Sequence, residues 1–208
     1  MKNCIFICAF LNVNYIKLLE LLLNSIHKYG NLNRNTEILI YTNSLFVNQI
    51  KNMGVYKKLQ INFETNDKLC EFNKTFETRL DFFKLPSSSR YDKVLYLDTD
   101  VLINGELNEV FNIVEKEILY VVEEATIYTP GFGHTLFTDE EKRNYPNGSA
   151  FNSGVILFKN CETIKNLFEN IVNEINRCRN LQQHLFDQPY VIHNAIIHPR
   201  FWLEVRLG

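Results

Sequence analysis

The chain has 208 residues, a length that suits one domain of ordinary size. Apolar residues make up 46% of it, with sixteen Phe and ten Tyr, enough for a packed core, so disorder is excluded. With 22 Lys and Arg against 24 Asp and Glu, the net charge of -2 carries no basic footprint for nucleic acid.

Cys4–Phe10 is an almost unbroken apolar run of strand length, the pattern of a buried parallel strand. The run is too short to span a bilayer. Asn12 and Asn14 interrupt it, and no small-residue cleavage site comes after, so neither a membrane segment nor a signal peptide is expected. Tyr15, Leu18, Leu19, Leu22 and Ile26 recur at helical spacing, and Gly30 is placed to end that helix. Glu37–Tyr41 is a second short strand and Ile61–Phe63 a weaker third. Phe72, Phe76, Arg79, Leu80 and Phe83 fall on one helical face, which ends before Pro86. Lys93–Leu97 reads as a strand, with the triplet Asp98-Thr99-Asp100 at its end. Leu119–Val122 and Val155–Phe158 are further strands, and Ile164–Ile175 is an amphipathic helix on Ile164, Leu167, Phe168, Ile171 and Ile175. Thr126–Ser149 differs: Gly131, Gly133, Gly148, Pro130 and Pro146 occur in it with little periodicity, as in a flexible loop over a site. Strands alternating with helices predict an α/β fold, a mostly parallel sheet flanked by helices, with ligands beyond the carboxyl ends of the strands.

The five cysteines, Cys4, Cys8, Cys70, Cys161 and Cys178, form no CxxC pair and are odd in number, so buried free thiols and a reducing, cytoplasmic setting are expected. The histidines, His27, His134, His184, His193 and His198, show no metal-ligand spacing such as HxxxH.

Two carboxylates two residues apart, flanked on both sides by apolar strand-like sequence, project to the same side of a regular strand. Confined at a strand end they repel each other, and a divalent cation relieves the repulsion. Hard oxygen ligands suit Mn²⁺ or Mg²⁺, which in turn clamp a diphosphate. The alternative for the triplet is a solvated turn.

Lys93–Ile103 resembles the metal-binding segment of the family-8 retaining glycosyltransferases, the group of glycogenin and the lipopolysaccharide galactosyltransferases. Further segments match in order. Asn14-Tyr15, with Asn12 before it, resembles the corner that holds the uracil ring. Thr78-Arg79-Leu80 resembles the segment whose basic residue contacts the donor. Phe151-Asn152-Ser153-Gly154 resembles the Asn-Ser-Gly strand, and Asp187-Gln188 the pair near the donor sugar. The resemblance implies a single GT-A domain over residues 1–208, Rossmann-like, or the N-terminal catalytic part of a longer protein. It also implies a UDP-sugar donor of glucose or galactose type, a glycan or glycoconjugate acceptor, and retention of anomeric configuration. Asp98 and Asp100 would hold the metal. Asn12, Tyr15, Arg79, Thr99 and Ser153 would join them in binding the donor, and Asp187, Gln188 and Asn152 would act at the sugar. The third metal ligand of that family, a His in a late His-Gly-Lys-Pro-type segment, has no counterpart up to Gly208. His198 and His193 are the histidines after Gln188, and the ligand otherwise lies beyond the C-terminus.

Each segment also has a plainer reading: Tyr15 as a core residue of its helix, Arg79 as a snorkelling side chain, Asn152-Ser153-Gly154 as a bend entering a strand, Asp187 as a helix N-cap. At the level of function, the alternatives are a domain that binds nucleotide-sugar or carbohydrate without turnover, and a phosphatase of the haloacid-dehalogenase type. The latter also uses Asp-x-Asp after a strand, but there it is the first strand.

Overall fold

In the computed structural model, β1 (Lys2–Ala9) is the strand against which its neighbours align. The structure describes residues 2–69, 72–133, 135–146, 148–180 and 186–198; Cys70, His134 and His184 lie outside them. The chain divides into two compact units, Met1–Glu115 and Lys116–Gly208.

In the first unit β1 pairs in parallel with β2 (Thr36–Thr42) on one side and β4 (Tyr91–Leu97) on the other, and β2 pairs in parallel with β3 (Ile61–Thr65). Cys4, Ile5, Phe6 and Ile7 are wholly buried, as a parallel strand covered on both faces requires. Helix α1 (Val13–Tyr29) starts where Asn12 caps it, the Asn12 Oδ1 accepting from the Asn14 amide at 2.9 Å. Its buried side chains are Ile16, Leu19, Leu22, Leu23 and Ile26. The expected stripe is therefore rotated: Tyr15 and Leu18 stand half-buried on its flank, against a cavity rather than in the core.

Gly30 does end α1, by a different device from the left-handed cap its identity suggests. Its φ is -71°, and the left-handed residue is Asn31 at 46°. Glycine is required by close approach, because a Cβ at position 30 would lie 2.7 Å from the Ile26 carbonyl oxygen and 3.3 Å from Leu107 Cδ1.

Helix α2 (Ser44–Lys51), capped by Asn43, comes after β2 and has no counterpart among the sequence expectations. The single helix expected around Phe72–Phe83 is instead α3 (Phe72–Phe76) running into a 3-10 segment, Glu77–Lys84. A 3-10 turn holds three residues rather than 3.6, so the face changes: Thr78, Arg79, Leu80 and Phe82 are buried, and Phe83 is half-exposed. After β4 comes α4 (Asn108–Asn112), to whose Phe111 carbonyl Lys93 Nζ donates at 2.7 Å.

In the second unit β5 (Leu119–Thr126) and β6 (Ser149–Lys159) pair antiparallel, and both are longer than their apolar cores suggested. Between them α5 (Asp139–Asn144) lies inside the segment expected to be a loop. A capping box starts α5: Thr138 Oγ1 accepts from the Glu141 amide, and the Thr138 amide donates to Glu141 Oε2 at 2.7 Å. Helix α6 (Glu162–Asn180) buries Ile164, Leu167, Phe168, Ile171 and Ile175, the stripe expected, each worth roughly 1.5–3 kcal/mol. Helix α7 (Asp187–Ile197) completes the described elements. Among the described residues no helix is long and apolar enough to cross a membrane, and Cys4, Cys8, Cys161 and Cys178 are free thiols. The α/β class and the mostly parallel strand pairing are those expected from the sequence.

One charged group at the amino ends of these strands is buried. Glu37 accepts from Lys2, from Asn62 at 2.9 Å, from Arg90 at 3.1 Å and from the Tyr91 hydroxyl at 3.3 Å. Burial alone would raise its carboxyl, but the Lys2 hydrogen bond and charge, with Arg90 and Tyr91, outweigh burial and hold it below its ordinary value. A depressed carboxylate stabilises the fold above its ordinary titration range and stops doing so as pH falls through the depressed value. Glu37→Gln should therefore cost about 1–2 kcal/mol at neutral pH, the charged partners Lys2 and Arg90 being half-exposed. Denaturant melts across the acid range should show the gap to wild type closing as pH drops; a gap that stays constant would mean the cost is steric rather than ionic.

Candidate active site

The carboxyl ends of β1 and β4 open into a cavity of about 180 Å³ in the first unit. It is lined by Phe10, Leu11, Tyr15, Leu18 and Phe76, which are apolar or aromatic, together with Arg79, Tyr96, Asp98, Thr99 and Asp100. The strands dictate the position. Val94 to Leu97 are committed to the core, so the first residues free to be polar come after Leu97.

Asp98, Thr99 and Asp100 leave the strand in a turn closed by the Val101 amide on the Asp98 carbonyl at 3.2 Å. Thr99 is buried between them, Asp98 is 35% exposed and Asp100 is exposed, and all three line the cavity. The turn is thus real, and it places both carboxylates in one concave site.

Arg79 does not snorkel. At 7% exposure its guanidinium lies inside, with Nη2 3.6 Å from Asp98 Oδ1 and Cζ 4.9 Å from the centre of the Tyr96 ring. Its Nε donates to the Phe76 carbonyl at 3.3 Å. The Tyr96 hydroxyl donates to Asp98 Oδ1, and burial, its largest influence, pushes that phenol well above its ordinary value. Cys8 also lines the cavity; burial drives its thiol strongly up, so it stays protonated. Leu11 has a φ of 75°, a conformation that costs a branched side chain energy and that clusters at functional sites. Asn12 is exposed and engaged as the α1 cap, and it is not among the cavity residues.

The second unit holds the other candidates. Asn152-Ser153-Gly154 is not a bend before β6 but lies within it. The β5–β6 register passes from Val121 opposite Ile156 to Val122 opposite Asn152, so Ser153, Gly154 and Val155 bulge out of the β5 pairing. The bulge presents the Ser153 amide and hydroxyl to Gln188 Oε1, at 3.1 and 3.2 Å. The Asn152 amide is fixed at both ends: Nδ2 donates to Glu124 Oε2 at 2.8 Å, and Oδ1 accepts from the Gly154 amide at 2.6 Å. Asp187 is the first residue of α7 rather than its cap, which is Phe186, and it is buried. Gln188 Nε2 reaches the Gly131 carbonyl at 3.4 Å, tying the 126–149 segment to α7.

His193, buried on α7, stands between two carboxylates: its Nδ1 is 3.0 Å from Glu174 Oε1 and its Nε2 is 3.6 Å from Glu141 Oε1. The Phe137 ring packs edge-on to the imidazole at 4.8 Å. His198 caps the C-terminus of α7. Among the described residues no three His, Cys, Asp or Glu side chains gather as a metal site would require.

Sequence reasoning misses Tyr96, Cys8, Phe10, Leu11, Phe76 and Glu124. A signal for Tyr96 exists, because position i-2 on a strand shares the face of Asp98. For Glu124 there is none, since its reach to Asn152 depends on a bulge. The capping box of α5 is legible as Thr138-x-x-Glu141.

Residues 4–196 match the family described as Glycosyl transferase family 8. No curated protein matches the chain in sequence. Several solved structures match in fold. The apo bifunctional glycosyltransferase WbbM does so with a TM-score of 0.65 at 18% identity, covering 98% of this chain and 39% of that one. For apo mouse xyloside xylosyltransferase 1 the TM-score is 0.65 at 15% identity, covering 97% and 85%. An active-site mutant of LgtC gives 0.63 at 16%, covering 95% and 71%. The chain thus spans 39% of WbbM's length, and at these identities the likeness carries the fold alone, which is the GT-A type. The family match runs from the first strand to the last described helix and takes in the acidic pair after β4, the buried Arg79 and the Ser153–Gln188 contact: the chain belongs to glycosyltransferase family 8.

Proposed function

We propose that this chain is a retaining hexosyltransferase, moving a glucose- or galactose-type unit from a UDP-sugar to a hydroxyl of a glycan or glycoconjugate. The reading rests on one observation. One cavity at the strand ends is lined both by apolar and aromatic side chains and by two carboxylates with a buried arginine. A nucleoside diphosphate combines the same two chemistries, a flat base and a charged diphosphate.

Tyr15, half-buried on the α1 flank, stacks on the uracil. Asn12 keeps the uracil-edge role the resemblance implies. Arg79 places a fixed positive charge where the leaving diphosphate gathers negative charge, and its burial spares reorganisation during the reaction. The donor set suits a hard divalent cation: Asp98 and Asp100 are hard oxygen ligands in a concave site, and would hold Mn²⁺ or Mg²⁺. Such an ion, when bound, supplies Lewis-acid stabilisation of the departing diphosphate. Thr99, buried between the two carboxylates and lining the same cavity, joins them in binding the donor. In the second unit Asn152, Ser153, Asp187 and Gln188 take the donor-sugar role. The amide of Gln188, a poor nucleophile, positions rather than attacks. Asp187 is the carboxylate that stabilises an oxocarbenium-like transition state or attacks the anomeric carbon. The two units form one GT-A catalytic domain in this reading, which the family match across both supports. A cytoplasmic setting accords with the free thiols.

Three measurements test it. Titration calorimetry should rank UDP above GDP and CDP, and Tyr15→Ala should cost about 1 kcal/mol, roughly fivefold in UDP affinity. GDP binding best would remove the uracil assignment. Asp98→Asn and Asp100→Asn change charge with almost no change of volume; Asp100→Asn should keep its melting temperature and Asp98→Asn, which removes the carboxylate beside buried Arg79, should lower it, while in both donor affinity loses its response to Mn²⁺ and transfer or donor hydrolysis falls at least a hundredfold. Retained Mn²⁺ response in both variants would sink the metal site. Binding without turnover in the wild type would favour a binding domain. Hydrogen exchange should show the 126–149 segment gaining protection when UDP-sugar and Mn²⁺ are added, as closing loops do; equal exchange in both states would make it a fixed part of the fold.

A further inference from the structure

We propose that Ser25 is a positioning residue of the donor site, pinning the chain that leaves the acidic pair onto α1. Because α1 also carries Tyr15, the metal's carboxylates and the base platform then share one frame. The inference rests on the UDP-sugar reading above, with Asp98 and Asp100 as metal ligands. It assigns a residue that is not among those lining the cavity.

One hydroxyl makes two bonds. Ser25, half-buried on α1, donates its single hydroxyl hydrogen to the Leu22 carbonyl at 2.7 Å. That bond fixes the rotor, and the same oxygen accepts from the Ile103 amide at 3.0 Å. A serine bonded back onto its own helix is slightly unfavourable there; here it supplies a partner to a backbone amide 78 positions away. Among the described residues the backbone amides of 101–106 have two partners. Val101 bonds the Asp98 carbonyl at 3.2 Å, and Ile103 bonds Ser25. The next fastening is the Leu107 amide on the Gly30 carbonyl at 3.0 Å, at the far end of α1.

Asp100 depends on this pin more than Asp98 does. Asp98 is held through its side chain, by the Tyr96 hydroxyl and by Arg79. Asp100 is exposed, and the backbone on either side of it sets its place. Upstream that backbone comes out of β4, buried through Leu97; downstream it is stopped at Ile103 by Ser25. The frame is firm, because α1 is seated in the core by Ile16, Leu19, Leu22, Leu23 and Ile26. Tyr15 and Ser25 lie about 15 Å apart along its axis. Without the Ser25 hydroxyl the chain beyond Val101 has no fastening before Leu107. Closing a loop roughly three times longer lowers the population with both carboxylates in place about fivefold.

The test pairs a variant that removes the hydroxyl with one that keeps it. Hydrogen exchange of the ligand-free chain reads the 101–106 amides. Mn²⁺ titration at saturating UDP, followed by the paramagnetic resonance signal of free Mn²⁺, reads the metal site, and ligand-observed NMR reads UDP affinity without metal. Ser25→Ala should speed exchange at Ile103 and lower Mn²⁺ affinity about fivefold, leaving metal-free UDP affinity near wild type. Ser25→Thr, which retains the hydroxyl, should restore both slow exchange and Mn²⁺ affinity. Faster exchange in Ser25→Ala with wild-type Mn²⁺ affinity overturns the inference, since the bond then serves the fold alone. An equal fall of metal-free UDP affinity also overturns it, as the mark of a loosened α1, and so does a Ser25→Thr that behaves like Ser25→Ala. Each of these leaves the donor reading intact. Failure of the wild type to bind Mn²⁺ with UDP overturns the donor reading and this inference together.

Discussion

A strand buried on both faces has no side on which to place a polar group. That constraint governs the first unit. Cys4 to Ile7 and Val94 to Leu97 are all within the core, so the carboxylates of the site emerge only past the last residue of β4. The carboxyl ends of β1 and β4 are neighbours in the parallel pairing, Ile7 opposite Leu97, and the segments leaving the two strands are brought to one place. The strained Leu11 and the Tyr15 flank come from one strand; the Asp98-Thr99-Asp100 turn comes from the other. The amino ends of the same strands meet the same limit, and there Glu37 is surrounded by Lys2, Asn62, Arg90 and Tyr91. One end of the sheet thus neutralises its buried charge within the fold, while the other leaves two carboxylates and one arginine facing a cavity.

The parts legible in the sequence are those set by short-range periodicity. The stripe of α6 is plain because Ile164, Leu167, Phe168, Ile171 and Ile175 repeat at 3.6 residues and nothing interrupts them. The acidic pair stands out because two Asp between apolar runs conflict with burial. Sequence and structure part where tertiary packing decides. On α1 the apolar pattern admits two neighbouring stripes, and the stripe that wins turns Tyr15 and Leu18 toward the cavity. In the 72–84 stretch, Thr78 Oγ1 donates to the Thr75 carbonyl at 2.7 Å, and the chain tightens into 3-10 geometry that an α-helical wheel does not describe. Gly30 reads as a left-handed cap, whereas Leu107 and the Ile26 carbonyl, one of them 77 positions away, explain its lack of a side chain.

The candidate site shows the same division. Residue identities can be named one by one, but their couplings cannot. No property of the sequence says that Gln188 takes its hydrogen bonds from the Ser153 amide and hydroxyl, because that contact exists only through a three-residue bulge in β6. Nor does it say that Asn152 is clamped by Glu124, which reaches it because β5 carries its own irregularity between Glu123 and Ala125. Bulges carry no simple sequence pattern, and they re-aim side chains by changing which residues face each other.

The 126–149 segment depends on these couplings as well. A glycine- and proline-rich stretch reads as mobile, yet this one holds a capped helix and is fastened twice to α7. Gln188 donates to the Gly131 carbonyl, and His193 faces Glu141 of α5 while Phe137 packs on its ring. Both fastenings come from the helix that begins with Asp187-Gln188. Because α7 carries both the amide that meets Ser153 and the imidazole that faces Glu141 of α5, the candidate sugar-binding residues and the 126–149 connection pack on one helix, through contacts the linear sequence does not announce.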